Sequence, residues 1–148
     1  MLKDDVLLGG EESGGIAIKS HIPERDGIWI GLVLWEYMAR TGKSISDLIE
    51  EVYALVGSFA FERSDLHLTE EKKQEILANC KAGNYKSFGH YKIERTEDTD
   101  GWKYHLGNDE WLMIRASGTE PVLRTYAESS SREKAFAILK AGEHALLG

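Results

Sequence analysis

Between residues 27 and 56 the hydrophobic positions keep a helical period, flanked before it by two short apolar runs and after it by a change of period at Ser58. Val6, Leu7 and Leu8 form a short apolar run that stops at Gly9-Gly10, which predicts a strand delivering the chain into a glycine-flanked loop. A second short strand is expected at Ile16, Ala17 and Ile18. Between residues 27 and 40 apolar side chains occur all round the helical projection and Gly42 follows as a stop, which predicts a largely buried helix. Ser44 and Asp47 have the spacing of an S-x-x-D cap. Ile45, Leu48, Ile49, Val52 and Val56 then recur at helical spacing up to Gly57, the pattern of an amphipathic helix.

From Ser58 the period shortens. Phe59 and Phe61 alternate as in a strand, and Thr69 before an acidic first turn predicts the cap of a helix ending near Gly83. Strands are expected at 91–95, at 102–106, where Trp102, Tyr104 and Leu106 alternate, and at 110–115, with Asp100-Gly101 and Gly107-Asn108 as turns. A loop over 116–121 leads to a strand at 122–128. Ser130 and Glu133 then read as the capping box of a last helix with Ala135, Phe136, Leu139 and Leu146 on its apolar face. The order β-α-β-β-β-β-α predicts an α+β domain over residues 58–148, and residues 1–57 read as a separate helical unit with two short strands.

Composition narrows the class. In 148 residues, 42% apolar and 29% charged content is that of a folded, water-soluble protein with room for one ordinary domain and part of another. Acidic residues outnumber basic ones 25 to 18, and no Lys/Arg stripe could follow a nucleic-acid backbone, so nucleic acid is not an expected partner. The longest apolar stretch is too short to span a bilayer and the first residues lack a signal-peptide layout, so no membrane association and a cytoplasmic location are expected. Cys80 is the one cysteine, which excludes an internal disulfide and suggests a buried thiol. The four tryptophans sit in apolar patterns and are expected in cores.

Two loops concentrate chemistry. Arg115-Ala116-Ser117-Gly118-Thr119-Glu120-Pro121 lies between two strands and combines a guanidinium, two hydroxyls and a glycine that lets backbone N–H groups converge. These are the parts of an anion nest, and Arg124 could close it. The same residues are ordinary turn chemistry, and from the residues alone both readings stand. Gly9-Gly10-Glu11-Glu12-Ser13-Gly14-Gly15 offers carboxylates and a hydroxyl able to hydrogen-bond a sugar, or equally a solvated acidic loop. Lys19, His21, Glu24, Arg25 and Asp26 gather before the first helix as candidate acid/base groups or a solvated connector. Ser20-His21 lacks an orienting third group for a nucleophile, and Asp98, Asp100 and Asp109 lack metal-loop spacing.

Taken together, Gly-Glu-Glu-Ser-Gly-Gly near the start, His21-Ile22-Pro23-Glu24-Arg25-Asp26-Gly27 after it, and Arg-Ala-Ser-Gly-Thr-Glu-Pro near the end resemble, in that order, the α-D-phosphohexomutases. The resemblance covers essentially the whole chain. It implies the C-terminal part of a sugar-binding third α/β domain over 1–57, and over 58–148 a phosphate-binding fourth domain similar to the TATA-binding protein, an antiparallel sheet with two helices. It implies a parent enzyme, an intramolecular phosphotransferase, that interconverts hexose 1-phosphate and hexose 6-phosphate through a phosphoserine. Glu11 and Ser13 match the pair that grips sugar hydroxyls. Arg115, Ser117, Gly118 and Thr119, extended by Arg124, match the phosphate cradle, and Arg25 with its neighbour His21 matches the basic position beside the reacting hydroxyl.

Gly15 stands where many phosphomannomutase-like relatives have histidine, which favours the phosphoglucomutase-like branch. Neither the phosphoserine motif T-x-S-H-N nor the magnesium motif D-G-D-x-D-R occurs in these residues. The expectation is therefore that Mg2+ is bound by upstream domains of the parent, that no metal is bound here, and that this piece alone is inactive. A truncated domain would also leave the 27–40 helix without its covering sheet, which predicts self-association. The competing readings are a non-catalytic sugar-phosphate-binding module and a plain α+β interaction domain whose loops are only turns.

Overall fold

The computed structural model describes residues 5–11, 14–117 and 122–148. Contacts divide the chain into two units, Met1–Val52 and Tyr53–Gly148, a division a little ahead of the Gly57 boundary read from the pattern.

In the first unit β1 (Leu8–Gly10) and β2 (Ile16–Ile18) form an antiparallel hairpin with Leu8 opposite Ile18 and Gly10 opposite Ile16. β1 includes both glycines that the apolar run had assigned to a loop, because pairing with β2 rather than hydrophobicity fixes its ends. α1 (Gly27–Thr41) is capped by Asp26 and stops at Gly42, whose φ of 68° places it in the left-handed region and lets its N–H donate to the Met38 carbonyl at 2.8 Å. α2 (Ile45–Val56) opens with the cap read from sequence. The Ser44 N–H and hydroxyl both donate to Asp47 Oδ2 at 2.7 Å, and the Asp47 N–H donates back to Ser44 Oγ at 3.2 Å.

The burial expected from the apolar pattern of the first helix is not met, while the lack of cover expected for a truncated domain is what α1 shows. No residue of α1 is buried, and Ile28 and Trp35 are 82% and 71% exposed. A helix apolar all round needs cover on several sides, and the strands of this unit among the described residues are two three-residue segments. Trp29 is likewise exposed and Trp102 and Trp111 are half-buried, so none of the tryptophans is a full core residue.

The second unit is a five-stranded antiparallel sheet backed on one face by two helices. Its elements are β3 (Ala60–His67), α3 (Glu70–Lys81), a two-residue hairpin β4 (Ser87–Phe88) and β5 (Tyr91–Lys92), β6 (Arg95–Glu97), β7 (Trp102–Gly107), β8 (Glu110–Ala116), β9 (Val122–Ser129) and α4 (Arg132–Leu147). Strand order is β3-β9-β8-β7-β6, so the last strand inserts beside the first. The strand expected at 91–95 is two elements. The Ile93 N–H still bonds the Lys86 carbonyl of the small hairpin, whereas the Glu94 N–H bonds the His105 carbonyl of the main sheet.

Leu66, Tyr104, Leu112, Ile114, Leu123 and Ala127 from the strands pack with Ile76 and Cys80 of α3 and Ile138, Leu139 and Leu146 of α4 in one core. Cys80 is buried, as expected for a lone structural thiol. Two details of α4 differ from the pattern. Its cap is Ser131, whose Oγ accepts the Lys134 N–H, while Ser130 takes the Lys134 ammonium instead. Phe136 is exposed beneath the Arg132 guanidinium, and Ile138 and Gly142 take the buried face. Gly142 decides this, because without a side chain it brings the helix down onto Leu112.

Candidate functional site

The first group of site residues is built on the β1–β2 hairpin. At its turn the Glu11 N–H donates to the Gly15 carbonyl at 2.9 Å and the Gly14 N–H to the Glu11 carbonyl at 3.0 Å, which presents the Glu11 side chain at the tip. Arg25 Nη1 donates to Glu11 Oε2 at 2.5 Å, so a carboxylate and a guanidinium read separately from two loops meet in one ion pair. The stem of Arg25 crosses Gly15: a Cβ there would lie 2.6 Å from Arg25 Cδ, inside any van der Waals contact. Glycine at position 15 therefore makes room for Arg25 in this arrangement. Glu24 holds the other edge of the guanidinium, accepting from Nε at 3.2 Å, and it also accepts the Arg25 N–H at 2.8 Å. The Arg25 N–H lowers the Glu24 carboxyl below its usual range, and Glu24 first and then Glu11 raise the guanidinium further.

His21 is placed differently. Its Nε2 lies 2.8 Å from Asp26 Oδ2 and its ring stacks on Trp29, with centroids 4.6 Å apart and planes 9° from parallel. The other oxygen of Asp26 accepts the Ile28 and Trp29 N–H groups that begin α1. Those bonds, the Trp29 N–H first and His21 next, hold the Asp26 carboxyl below its ordinary range. His21 is thus braced against the start of the helix. Ser13, the other sugar-loop residue singled out in the sequence, lies outside the described residues.

The second group stands on the sheet face opposite the helices. Directly paired residues of antiparallel strands point to the same face. Arg115 of β8 pairs with Arg124 of β9, and Arg124 pairs on its other side with Asp65 of β3, so the three form a row across the open face. Two neighbouring guanidiniums repel and need counter-charge. Asp100 Oδ2 lies 3.2 Å from Arg115 Nη2, and Asp65 stands beside Arg124 while accepting a two-pronged pair from Arg63. Arg63 chiefly, with help from Arg124, holds the Asp65 carboxyl below its usual range. The Nε–H of Arg124 is buried and has no hydrogen-bond partner among the described residues, an unmet donor of the kind that folding leaves at a cost of about 1–3 kcal/mol.

Ser117 closes the neck of the loop that follows β8. It is buried, its N–H donates to the Val122 carbonyl at 3.0 Å, and its carbonyl accepts from Lys73 Nζ at 3.1 Å. Gly118 and Thr119 lie outside the described residues. The structure therefore brings Arg115 together with Arg124, and Glu11 with Arg25, and it adds two kinds of residue that sequence reasoning missed. Asp65 and Asp100 become partners only through strand register. Lys73 could have been noticed, since it sits three and seven residues before Ile76 and Cys80, on the stripe that α3 buries.

Compared with known proteins, residues 1–56 match the family model described as phosphoglucomutase/phosphomannomutase, alpha/beta/alpha domain III, and residues 66–141 match the model of the C-terminal domain of the same proteins. The chain belongs to the phosphoglucomutase/phosphomannomutase family. The whole chain is 34% identical over 152 residues to a phosphoglucomutase/phosphomannomutase of Thermococcus kodakarensis, covering 31% of that protein. It is 30% identical over 133 residues to the phosphoglucosamine mutase of Limosilactobacillus fermentum, with 90% of this chain and 25% of the relative covered. A family protein from Burkholderia thailandensis of known crystal structure superposes with a TM-score of 0.66 at 22% identity, over 95% of this chain and 28% of the other, which shows the shared fold. The chain thus spans between a quarter and a third of the length of these family members, and its mixed α+β architecture is theirs.

Proposed function

We propose that this chain is the sugar- and phosphate-holding C-terminal portion of a phosphohexomutase that interconverts hexose 1-phosphate and hexose 6-phosphate. The observation that carries the reading is the cross-strand pair Arg115 and Arg124, with a buried Arg124 Nε–H that finds no hydrogen-bond partner among the described residues. A phosphate dianion beside them would accept that donor and relieve the repulsion between the two guanidiniums. Ser117, with Gly118 and Thr119 after it, completes the proposed cradle for whichever phosphate is not reacting. Glu11, oriented by Arg25, accepts sugar hydroxyls with Ser13. Arg25, with His21 beside it, is the basic group proposed near the reacting hydroxyl.

These residues orient substrate rather than break bonds. The phosphoryl group would pass between sugar and a serine outside these residues, so the piece alone is expected to be inactive. Among the described residues no group of three or more His, Cys, Asp or Glu side chains is arranged to hold a metal ion. The proposal keeps the magnesium expected of the family on upstream domains of the longer protein, and no step here passes through it. No described helix is long and apolar enough to cross a membrane, and a cytoplasmic location is part of the proposal. So is cover of the exposed α1 side chains, in the longer protein, by the remainder of its domain.

A second reading concerns the sugar. Relatives named phosphoglucosamine mutase match most of the chain, and the Glu11 carboxylate accepts a hydrogen bond from an amino group as readily as from a hydroxyl. The test is the full-length protein assayed with magnesium on the 1-phosphates of glucose, mannose and glucosamine. Conversion to the 6-phosphate supports the proposal and the fastest substrate selects the sugar. Binding without turnover points to a non-catalytic module, and a folded protein that neither binds nor converts any of them overturns the reading.

A further inference from the structure

Lys73 occupies a position where the pattern of α3 calls for an apolar side chain. It is 7% exposed, on the same stripe as the buried Ile76 and Cys80. A lysine so placed gives up most of its hydration, and helices rarely accept that without a specific return. Its Nζ donates to the Ser117 carbonyl at 3.1 Å, forty-four residues away in sequence, and lies 3.7 Å from Glu70 Oε2, whose side chain remains largely in solvent. Ser117 is itself buried, and its N–H is already held by the Val122 carbonyl. Both backbone groups of the residue that opens the loop are thus tied, one to β9 and the other to an ammonium rising from the helix layer. Arg115 and Arg124 stand on the opposite face of the sheet, so the base of the loop carries positive charge from both layers.

We propose that Lys73 is a positioning residue for phosphate binding, fixing the loop at Ser117 and supplying buried positive charge at its base. The inference rests on the reading of Arg115, Ser117 and Arg124 as members of a phosphate cradle. A neutral donor in its place would keep the hydrogen bond and lose the charge. An apolar residue would lose both, and would satisfy the helix stripe better than lysine does.

The experiment uses the full-length protein and measures affinity for glucose 1-phosphate and for inorganic phosphate by calorimetry, together with thermal unfolding. Lys73→Gln is expected to weaken both ligands about tenfold, and Lys73→Met more than that, while the folded protein melts within a few degrees of the parent. Lys73→Arg, which keeps donor and charge, is expected to return affinity to within about threefold. A residue that only supported the fold would shift the melting temperature and leave the affinity of the folded protein unchanged, and that outcome overturns the inference. Should Lys73→Met not fold, the Gln and Arg variants carry the comparison. Arg115→Ala in parallel separates the two failures. If it leaves phosphate affinity unchanged the cradle reading itself is wrong, and if it weakens binding while Lys73→Gln does not, only the role of Lys73 is refuted.

Discussion

Gly142 offers a sharp test of how the helix layer is seated on the sheet that carries Arg115. A Cβ added there would lie 2.7 Å from Leu112 Cδ2 and 3.3 Å from Cδ1. Carbon atoms settle at about 3.5–4.0 Å, so one of the two groups must move by roughly 0.8 Å or more. Leu112 is fully buried at the centre of the sheet and has little room to yield. Overpacking of this kind costs about 1–3 kcal/mol, whereas replacing an exposed helical glycine by alanine gains about 1 kcal/mol. Gly142→Ala is therefore expected to destabilise the domain by up to about 2 kcal/mol, against the sign set by helix propensity.

The assay is native-state amide exchange of the Leu112 and Ile114 amides, whose slowest openings report loss of this sheet. Leu112→Ala alone should cost about 2–5 kcal/mol through the cavity it leaves. The double variant should be less destabilised than the sum by about 1 kcal/mol or more, since the new methyl enters that cavity. Stabilisation by Gly142→Ala, or strict additivity of the pair, would refute the proposed close approach.

Arg115→Ala and Arg124→Ala are each expected to weaken glucose 1-phosphate binding by about 10- to 100-fold, as loss of a charged hydrogen bond to phosphate does; calorimetry on the full-length protein checks this. Gly15→Ala should displace the Arg25 stem and break its pair with Glu11, seen as a shift of the Arg25 Nε–H resonance and a higher KM for sugar phosphate, with affinity for inorganic phosphate unchanged. Burial above all pushes the Tyr104 hydroxyl far above its ordinary range, and it also raises the neighbouring Cys80 thiol. The folded protein then keeps protons that an unfolded chain releases above about pH 10 for tyrosine and about pH 8.5 for cysteine. Their contribution to stability is full below those values and falls as pH rises through them. Melting temperatures between pH 8 and 11 should decline, and Tyr104→Phe should flatten the decline above pH 10 while changing stability at pH 7 by about 1 kcal/mol or less.

Much of the domain over 58–148 is legible because its signals are local. Thr69 accepts the Lys72 N–H at the start of α3, as its place before Glu70-Glu71 predicts, and the alternation of Trp102, Tyr104 and Leu106 marks β7 because every second side chain faces the helices. The capping pair Ser44 and Asp47 is legible for the same reason. The two chemistry-bearing loops are legible as motifs, since glycine, hydroxyl and charge fall close together in sequence.

What the tertiary structure decides depends on neighbours remote in the chain. The sequence names Arg115 and Arg124, but only the register of β8 on β9 makes them cross-strand partners, and only insertion of β9 beside β3 brings Asp65 to them. Glu11 and Arg25 are fourteen residues apart and meet because Gly15 lets the arginine stem pass. Lys73 looks like one of many surface lysines until α3 is laid on the sheet and its stripe turns inward to Ser117. The apolar pattern of α1 taken alone points to burial, and only the truncation implied by the family resemblance points to exposure, since an apolar helix is buried only where other elements supply a surface to meet it. Local free energies of capping and strand alternation are written residue by residue along the chain. The pairing of charges and the burial of a face are properties of contacts, which exist only once the chain has folded.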